Sequence, residues 1–124
     1  MNIKKLLPYF ITIVLYFFSF PPFLTGFFSY FVLIPFFFVL EKDSFKGGFR
    51  NGYLLGLFSI GAFLYWMNWN SGATQIQATS MYLGTIIYLA VLWGLFGLLQ
   101  NLVCHKFGVK GFVFAPFLWT TLEY

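Results

Sequence analysis

No Asp, Glu, Lys or Arg occurs between Leu6 and Leu40, and none between Asn51 and His105. Uncharged runs of that length leave few folds open, because about 20 predominantly apolar residues already suffice for a helix to cross about 30 Å of hydrocarbon. Only 8% of the 124 residues are charged, while 60% are hydrophobic and 26% aromatic. A soluble domain carries about a quarter charged residues. The pattern excludes a water-soluble globule and fits a multi-span membrane protein.

Backbone polar groups in lipid must be satisfied within the structure, which leaves helices or closed barrels. Barrel strands alternate polar and apolar residues over about ten positions, but "YFVLIPFFFVL" and "YLAVLWGLFGLL" are apolar on every side. The expected fold is therefore an all-α membrane protein, a polytopic helical bundle and a single membrane domain. It has four full transmembrane helices, over about residues 6–20, 23–40, 52–69 and 81–103, and a truncated fifth over 112–124. Pro8 is tolerable in the opening turn of the first, and the pair Pro21 and Pro22 forces a break before the second. The N-terminal run after Lys4 and Lys5 is similar to a secretory signal. It lacks a small-residue cleavage site and continues into the next apolar segment, so it reads as an uncleaved span.

Cytoplasmic loops carry an excess of Lys and Arg. With the N-terminus inside, Lys4, Lys5, Lys42, Lys46, Arg50, Lys106 and Lys110 all fall on the inner side, and the outer connections "PP" and "NSGATQIQATS" hold none. The net charge of +4 is then a topology signal. A nucleic-acid surface would instead need its cations clustered on one folded face, so no nucleic-acid partner is expected. Tyr65, Trp66 and Trp69 gather where the third span leaves the hydrocarbon, as an anchoring belt or as the lining of a lipid-substrate cavity. Gly48, Gly52 and Gly56 repeat at four-residue spacing and would let a neighbouring backbone approach, within one bundle or between two copies.

Little else carries chemistry. Cys104 and His105 are the sole Cys and His, and as neighbours near a helix end they point about 100° apart. No thiolate metal cluster, intrachain disulfide, phosphate loop or dinucleotide fingerprint is available, and no cofactor or metal is expected. Glu41 and Asp43 share a segment with Lys42, Lys46 and Arg50 and read as a solvated, self-compensating loop.

Glu123 is the exception. A fifth span opening near Gly111 puts it roughly 18 Å along the axis, at about 1.5 Å per residue, past the middle of the bilayer. Ionisable groups at that depth face a bundle interior, a partner or a water-filled cavity. A span ending at Tyr124 is well short of the roughly 20 residues required, so the sequence is expected to be the front of a longer protein.

The run "SFPPF", the third span "GYLLGLFSIGAFLYWMNW" and above all "FAPFLWTTLEY" resemble the N-terminal membrane region of bacterial apolipoprotein N-acyltransferase. Ala115, Pro116, Leu118, Trp119, Glu123 and Tyr124 match that family's fifth span, and the likeness runs from Leu6 onward.

The resemblance implies an enzyme integral to the bacterial inner membrane, with a periplasmic nitrilase-like domain before its last span. Such enzymes move an acyl chain from a phospholipid, through a cysteine thioester, to the α-amino group of the diacylglyceryl-cysteine of an apolipoprotein. The family's Glu-Lys-Cys triad lies in the nitrilase-like domain, which this sequence lacks. Cys104, on the inner side, matches no part of that triad, and the fragment is expected to be inactive alone. Trp66, Trp69, Trp119 and Glu123 become candidates for lining a substrate cavity or fixing the bundle. The alternatives are a small polytopic transporter, against which stand four charge-free spans, and a structural membrane subunit.

Overall fold

The sequence "SFKGGFRNGYLLG" has the ingredients of a helix start: a serine that can cap, then glycines at every fourth position. A computed structural model describes residues 3–19, 31–42, 44–69 and 72–124, and the side chains of all these except 3–6, 41 and 42. The order is α1 (Ile3–Phe18), α2 (Ile34–Lys42), α3 (Phe45–Leu64), α4 (Gln75–Phe107) and α5 (Ala115–Glu123). Short 3₁₀ segments, Tyr65–Trp69 and Gly108–Phe114, follow α3 and α4. Every regular element among the described residues is helical.

Ser44 caps α3, its hydroxyl accepting the Gly47 N–H at 3.3 Å. The helix therefore starts seven residues before the expected position 52 and takes in Lys46 and Arg50. Thr74 and Gln77 form a reciprocal capping box that starts α4, satisfying two N–H groups that a helix start leaves open. The connection expected around "NSGATQIQATS" is thereby largely helical, and α4 grows to 33 residues. It ends at Gly108, whose φ of +60° suits a residue without a β-carbon. The chain then reverses, so that Gly111 lies against Cys104 and α5 runs back along α4.

The expectation of four full membrane helices is corrected. Among the described residues one helical stretch, Gln75–Glu123, is long and apolar enough to cross a membrane. The uncharged part of α1, Leu7–Phe18, is too short, and Pro8 lies well inside α1 rather than in its opening turn. In α2, nine residues are helical. Pro21, Pro22 and the first part of the expected second span lie outside the described residues. α3 has the length, with 20 residues, but Lys46, Arg50, Asn51 and its glycines dilute its apolar character. The fifth span is split between a 3₁₀ segment and nine α-helical residues.

The main packing is α3 against α4, which run antiparallel: Gly48 meets Asn101 and Gly61 meets Ile86. A β-carbon on Gly52 would overlap the Trp93 carbonyl oxygen. One on Gly56 would come within 2.5 Å of the Trp93 β-carbon, and one on Gly97 within 2.5 Å of the Gly48 carbonyl oxygen. Both helices thus contribute small residues to a backbone-to-backbone contact of the kind that drives helix association in lipid. The buried cluster around it holds Phe36, Leu40, Leu55, Ile60, Trp93 and Phe96.

Amides hold the far end. Asn101, fully buried, donates from Nδ2 to the Leu40 carbonyl oxygen at 2.5 Å, and Gln100 donates from Nε2 to the Gly111 carbonyl oxygen at 3.0 Å. The last carbonyls of a helix such as α2 have no partner within it, and burial without one costs about 1–3 kcal/mol. Large apolar side chains meanwhile cover the outside, including Phe10, Phe58, Tyr88 and Phe117, each more than half exposed. An exterior of that kind marks an interaction surface, here one suited to lipid.

Gly52→Ala is expected to destabilise the bundle by about 1–3 kcal/mol through overpacking. Gly84→Ala, whose β-carbon would meet nothing within 4 Å, should be neutral or stabilise by up to about 1 kcal/mol. Thermal unfolding of the two variants in the same detergent checks this.

Candidate functional site

Trp93 is seated by the glycine contact: Gly52 lies against its backbone, and Gly56 leaves room for its β-carbon and the near edge of its indole. The indole meets Trp119 of α5 edge-on, with ring centroids 5.1 Å apart, and Tyr16 of α1 at 6.2 Å. Phe96, one turn along α4, meets Trp119 at 5.3 Å. Edge-to-face pairs at these distances contribute about 0.5–1.5 kcal/mol each beyond the area they bury. The four rings form a pillar joining α1, α4 and α5.

Two half-open clefts flank this pillar and share Tyr16, Trp93 and Trp119 as walls. The smaller, about 240 Å³, is completed by Phe63, Leu89, Leu92 and Leu122, with Glu123 among its lining residues. The larger, about 480 Å³, opens between Phe37, Phe96 and Pro116. Both are mainly apolar, and among the described residues Glu123 is the one carboxylate that lines either. Its neighbours Leu89 and Leu92 lie near the middle of α4, so the carboxylate sits level with the centre of the longest helix.

The residues singled out in the sequence separate into three places. Trp119 and Glu123 come together at the smaller cleft. Trp66 and Trp69 lie apart from it on the 3₁₀ segment after α3, 59% and 79% exposed, and line neither cleft. Gly48, Gly52 and Gly56 are buried on the α3 face that meets α4.

Cys104 points inward, with the Gln100 Nε2 at 3.3 Å from its sulfur. His105 points outward, its Nδ1 3.0 Å from the Asn101 carbonyl oxygen. Among the described residues no group of three or more His, Cys, Asp or Glu could hold a metal ion.

Sequence reasoning passed over Tyr16, Trp93 and Phe96, because aromatic residues are too frequent here for any one to stand out. It also passed over Gln100 and Asn101. The stretch "LLQNLVC" did carry a signal, two adjacent amides inside an apolar run, and such groups mark helix-to-helix hydrogen bonds in membrane bundles.

The fold and clefts define a class first: a helical bundle with a lipid-compatible exterior and aromatic, mainly apolar clefts. Within that class the chain belongs to the apolipoprotein N-acyltransferase N-terminal domain family, whose profile matches residues 14–124. No curated protein and no solved structure matches the chain significantly.

Proposed function

We propose that residues 1–124 are the N-terminal membrane portion of an apolipoprotein N-acyltransferase, an enzyme that transfers an acyl chain from a phospholipid to the N-terminal diacylglyceryl-cysteine of lipoproteins. The observation that carries the reading is the family match over residues 14–124. In this reading catalysis belongs to a nitrilase-like domain of the parent enzyme, and the bundle contributes no nucleophile.

The chemistry assigns the bundle its task. A phospholipid ester is attacked by a thiolate, giving a thioester and a lysophospholipid; the lipoprotein amine then attacks the thioester, forming an amide and restoring the thiol. Donor and acceptor are both lipids, so a bundle that holds their chains converts encounters in the bilayer into positioned ones. Trp119 and Glu123 are assigned to lining the smaller cleft, which offers apolar walls and one acid. Trp66 and Trp69, exposed after α3, are assigned to anchoring at the membrane interface. Gly48, Gly52 and Gly56 are assigned to packing within the bundle. The same reading puts the protein in the bacterial inner membrane as a multi-pass protein with a cytoplasmic N-terminus, supported by the distribution of Lys and Arg.

In cells depleted of the parent enzyme, mass spectrometry of lipoprotein N-termini should find free α-amines. The parent gene should restore the acylated form. Glu123→Gln and Trp119→Ala should restore it several-fold less well than Glu41→Gln and Trp66→Ala. Restoration to the same extent by all four would remove Trp119 and Glu123 from the site, and acylated N-termini after depletion would remove the function itself.

Orientation has a separate test. A reporter fused after Gln77 should behave as periplasmic and one after Lys46 as cytoplasmic, and the opposite pattern would invert the topology.

A further inference from the structure

The end of the bundle where α3 begins and α4 finishes carries exposed cations from three elements. Gly48 packs against Asn101, which brings the first turns of α3 beside the last turns of α4. Lys46 and Arg50 lie two residues to either side of Gly48, so at about 100° per residue they project away from α4, and both are exposed. Lys106 in the last turn of α4 and Lys110 in the segment after it are exposed as well. Lys46 and Arg50, four residues apart, share the outer face of α3, while Lys106, five residues past Asn101, leaves α4 on another side; the cations therefore form a broken ring at the end of the bundle rather than one cluster.

Apolar rings alternate with them. Phe45, Phe107 and Phe114 are each between 44% and 50% exposed, and Val109 is 56% exposed. Phe107 stacks on Phe114 with centroids 5.6 Å apart, and the Lys106 ammonium lies 5.5 Å from the Phe107 ring centre. Glu123, beside Leu89 and Leu92, is roughly 20 Å along α4 from Lys106 at about 1.5 Å per residue. Glu41 and Asp43, neighbours in sequence, can offset at most two of the five cations Lys42, Lys46, Arg50, Lys106 and Lys110.

We propose that this ring is a binding surface for the headgroups of anionic phospholipids. A soluble polyanion needs its cations on one accessible face, whereas cations spread around a perimeter and interleaved with aromatic rings match the headgroup level of a surrounding leaflet. Aromatic rings take the boundary between hydrocarbon and water, long basic side chains extend from it to the phosphates, and an anionic leaflet attracts each such cation. The inference rests on the membrane reading above and adds a lipid preference, independent of catalysis, that the reading does not contain.

The test uses the chain reconstituted into vesicles of phosphatidylcholine alone and of equal parts phosphatidylcholine and phosphatidylglycerol with the same acyl chains. Co-flotation with both vesicle types is expected, together with a thermal transition higher by about 5 °C in the anionic vesicles. Salt at 0.5 M should remove most of that gain, because it shortens the screening length to a few ångströms, roughly.

The combined variant Lys46→Gln, Arg50→Gln, Lys106→Gln, Lys110→Gln should float and unfold in phosphatidylcholine as the unaltered chain does, without the anionic gain. Replacing the three lysines by arginine should keep it. Lipid co-extracted with the unaltered chain from the mixed vesicles should be enriched roughly fivefold in phosphatidylglycerol, the factor contributed by one cation at an anionic surface; this reading needs no variant.

Equal transitions in both vesicles, or a gain retained by the glutamine variant, overturns the proposal and leaves the membrane reading standing. Failure to float with either vesicle overturns both. An equal gain from inorganic phosphate added to the chain in detergent would mean a discrete anion pocket, and an equal gain from a duplex oligonucleotide a soluble polyanion surface; either result also overturns it.

Discussion

The contact between the backbones of α3 and α4 sets the position of everything else. Gly52 sits so near the Trp93 carbonyl that no β-carbon fits between them, Gly48 and Gly97 extend the same backbone approach, and Gly56 and Gly94 make room for the Trp93 and Phe49 side chains. In lipid, two helices gain little from hiding apolar surface, since the surrounding chains are equally apolar; they gain from dispersion contacts and buried hydrogen bonds. Small residues maximise the first, and a pair of helices meeting this closely has one favourable register. That register fixes the direction of the Trp93 indole, and the indole in turn receives Trp119 and Tyr16.

Hydrogen bonds from α4 complete the assembly at the cationic end. Asn101 supplies the donor for a carbonyl at the end of α2, and Gln100 does the same for the segment that leads into α5. Tyr82 acts likewise near the other end of α4, its hydroxyl donating to the Gly61 carbonyl oxygen at 2.7 Å. α4 is thus the element to which the others are tied. Its polar side chains serve neighbouring backbones, and the clefts beside Trp93 and Trp119 are left mainly apolar, with Glu123 at the smaller one.

The helical class, the uncharged runs and the family were legible because each is written in composition or in local order. Helix boundaries were less so. Charged residues between apolar runs suggested a loop around Lys46 and Arg50, but a serine cap followed by good backbone packing carries α3 through them. The same holds for α4, where Thr74 and Gln77 begin a helix inside a stretch that looked like a polar connection. Counting whole spans from hydropathy failed where glycines and basic residues dilute α3 and where Gly108 turns the chain back. Trp119 and Glu123 could be singled out from the family signature, whereas the partners of Trp119 could not. Tyr16, Trp93 and Phe96 acquire their roles only when three helices meet.

The register of α3 on α4 is the claim on which the pillar and both clefts depend, and intramolecular cross-linking reads it directly. In a Cys104→Ser background, Gly61→Cys and Ile86→Cys should be joined by a short bifunctional thiol reagent, since a β-carbon at Gly61 would lie 3.7 Å from the tip of the Ile86 side chain. Phe58→Cys with Ile86→Cys should not, because Phe58 faces outward. Adding Gly52→Leu should abolish the first cross-link, and adding Gly84→Leu should leave it intact. Equal cross-linking by both cysteine pairs, or a yield indifferent to Gly52→Leu, would contradict the glycine-set register.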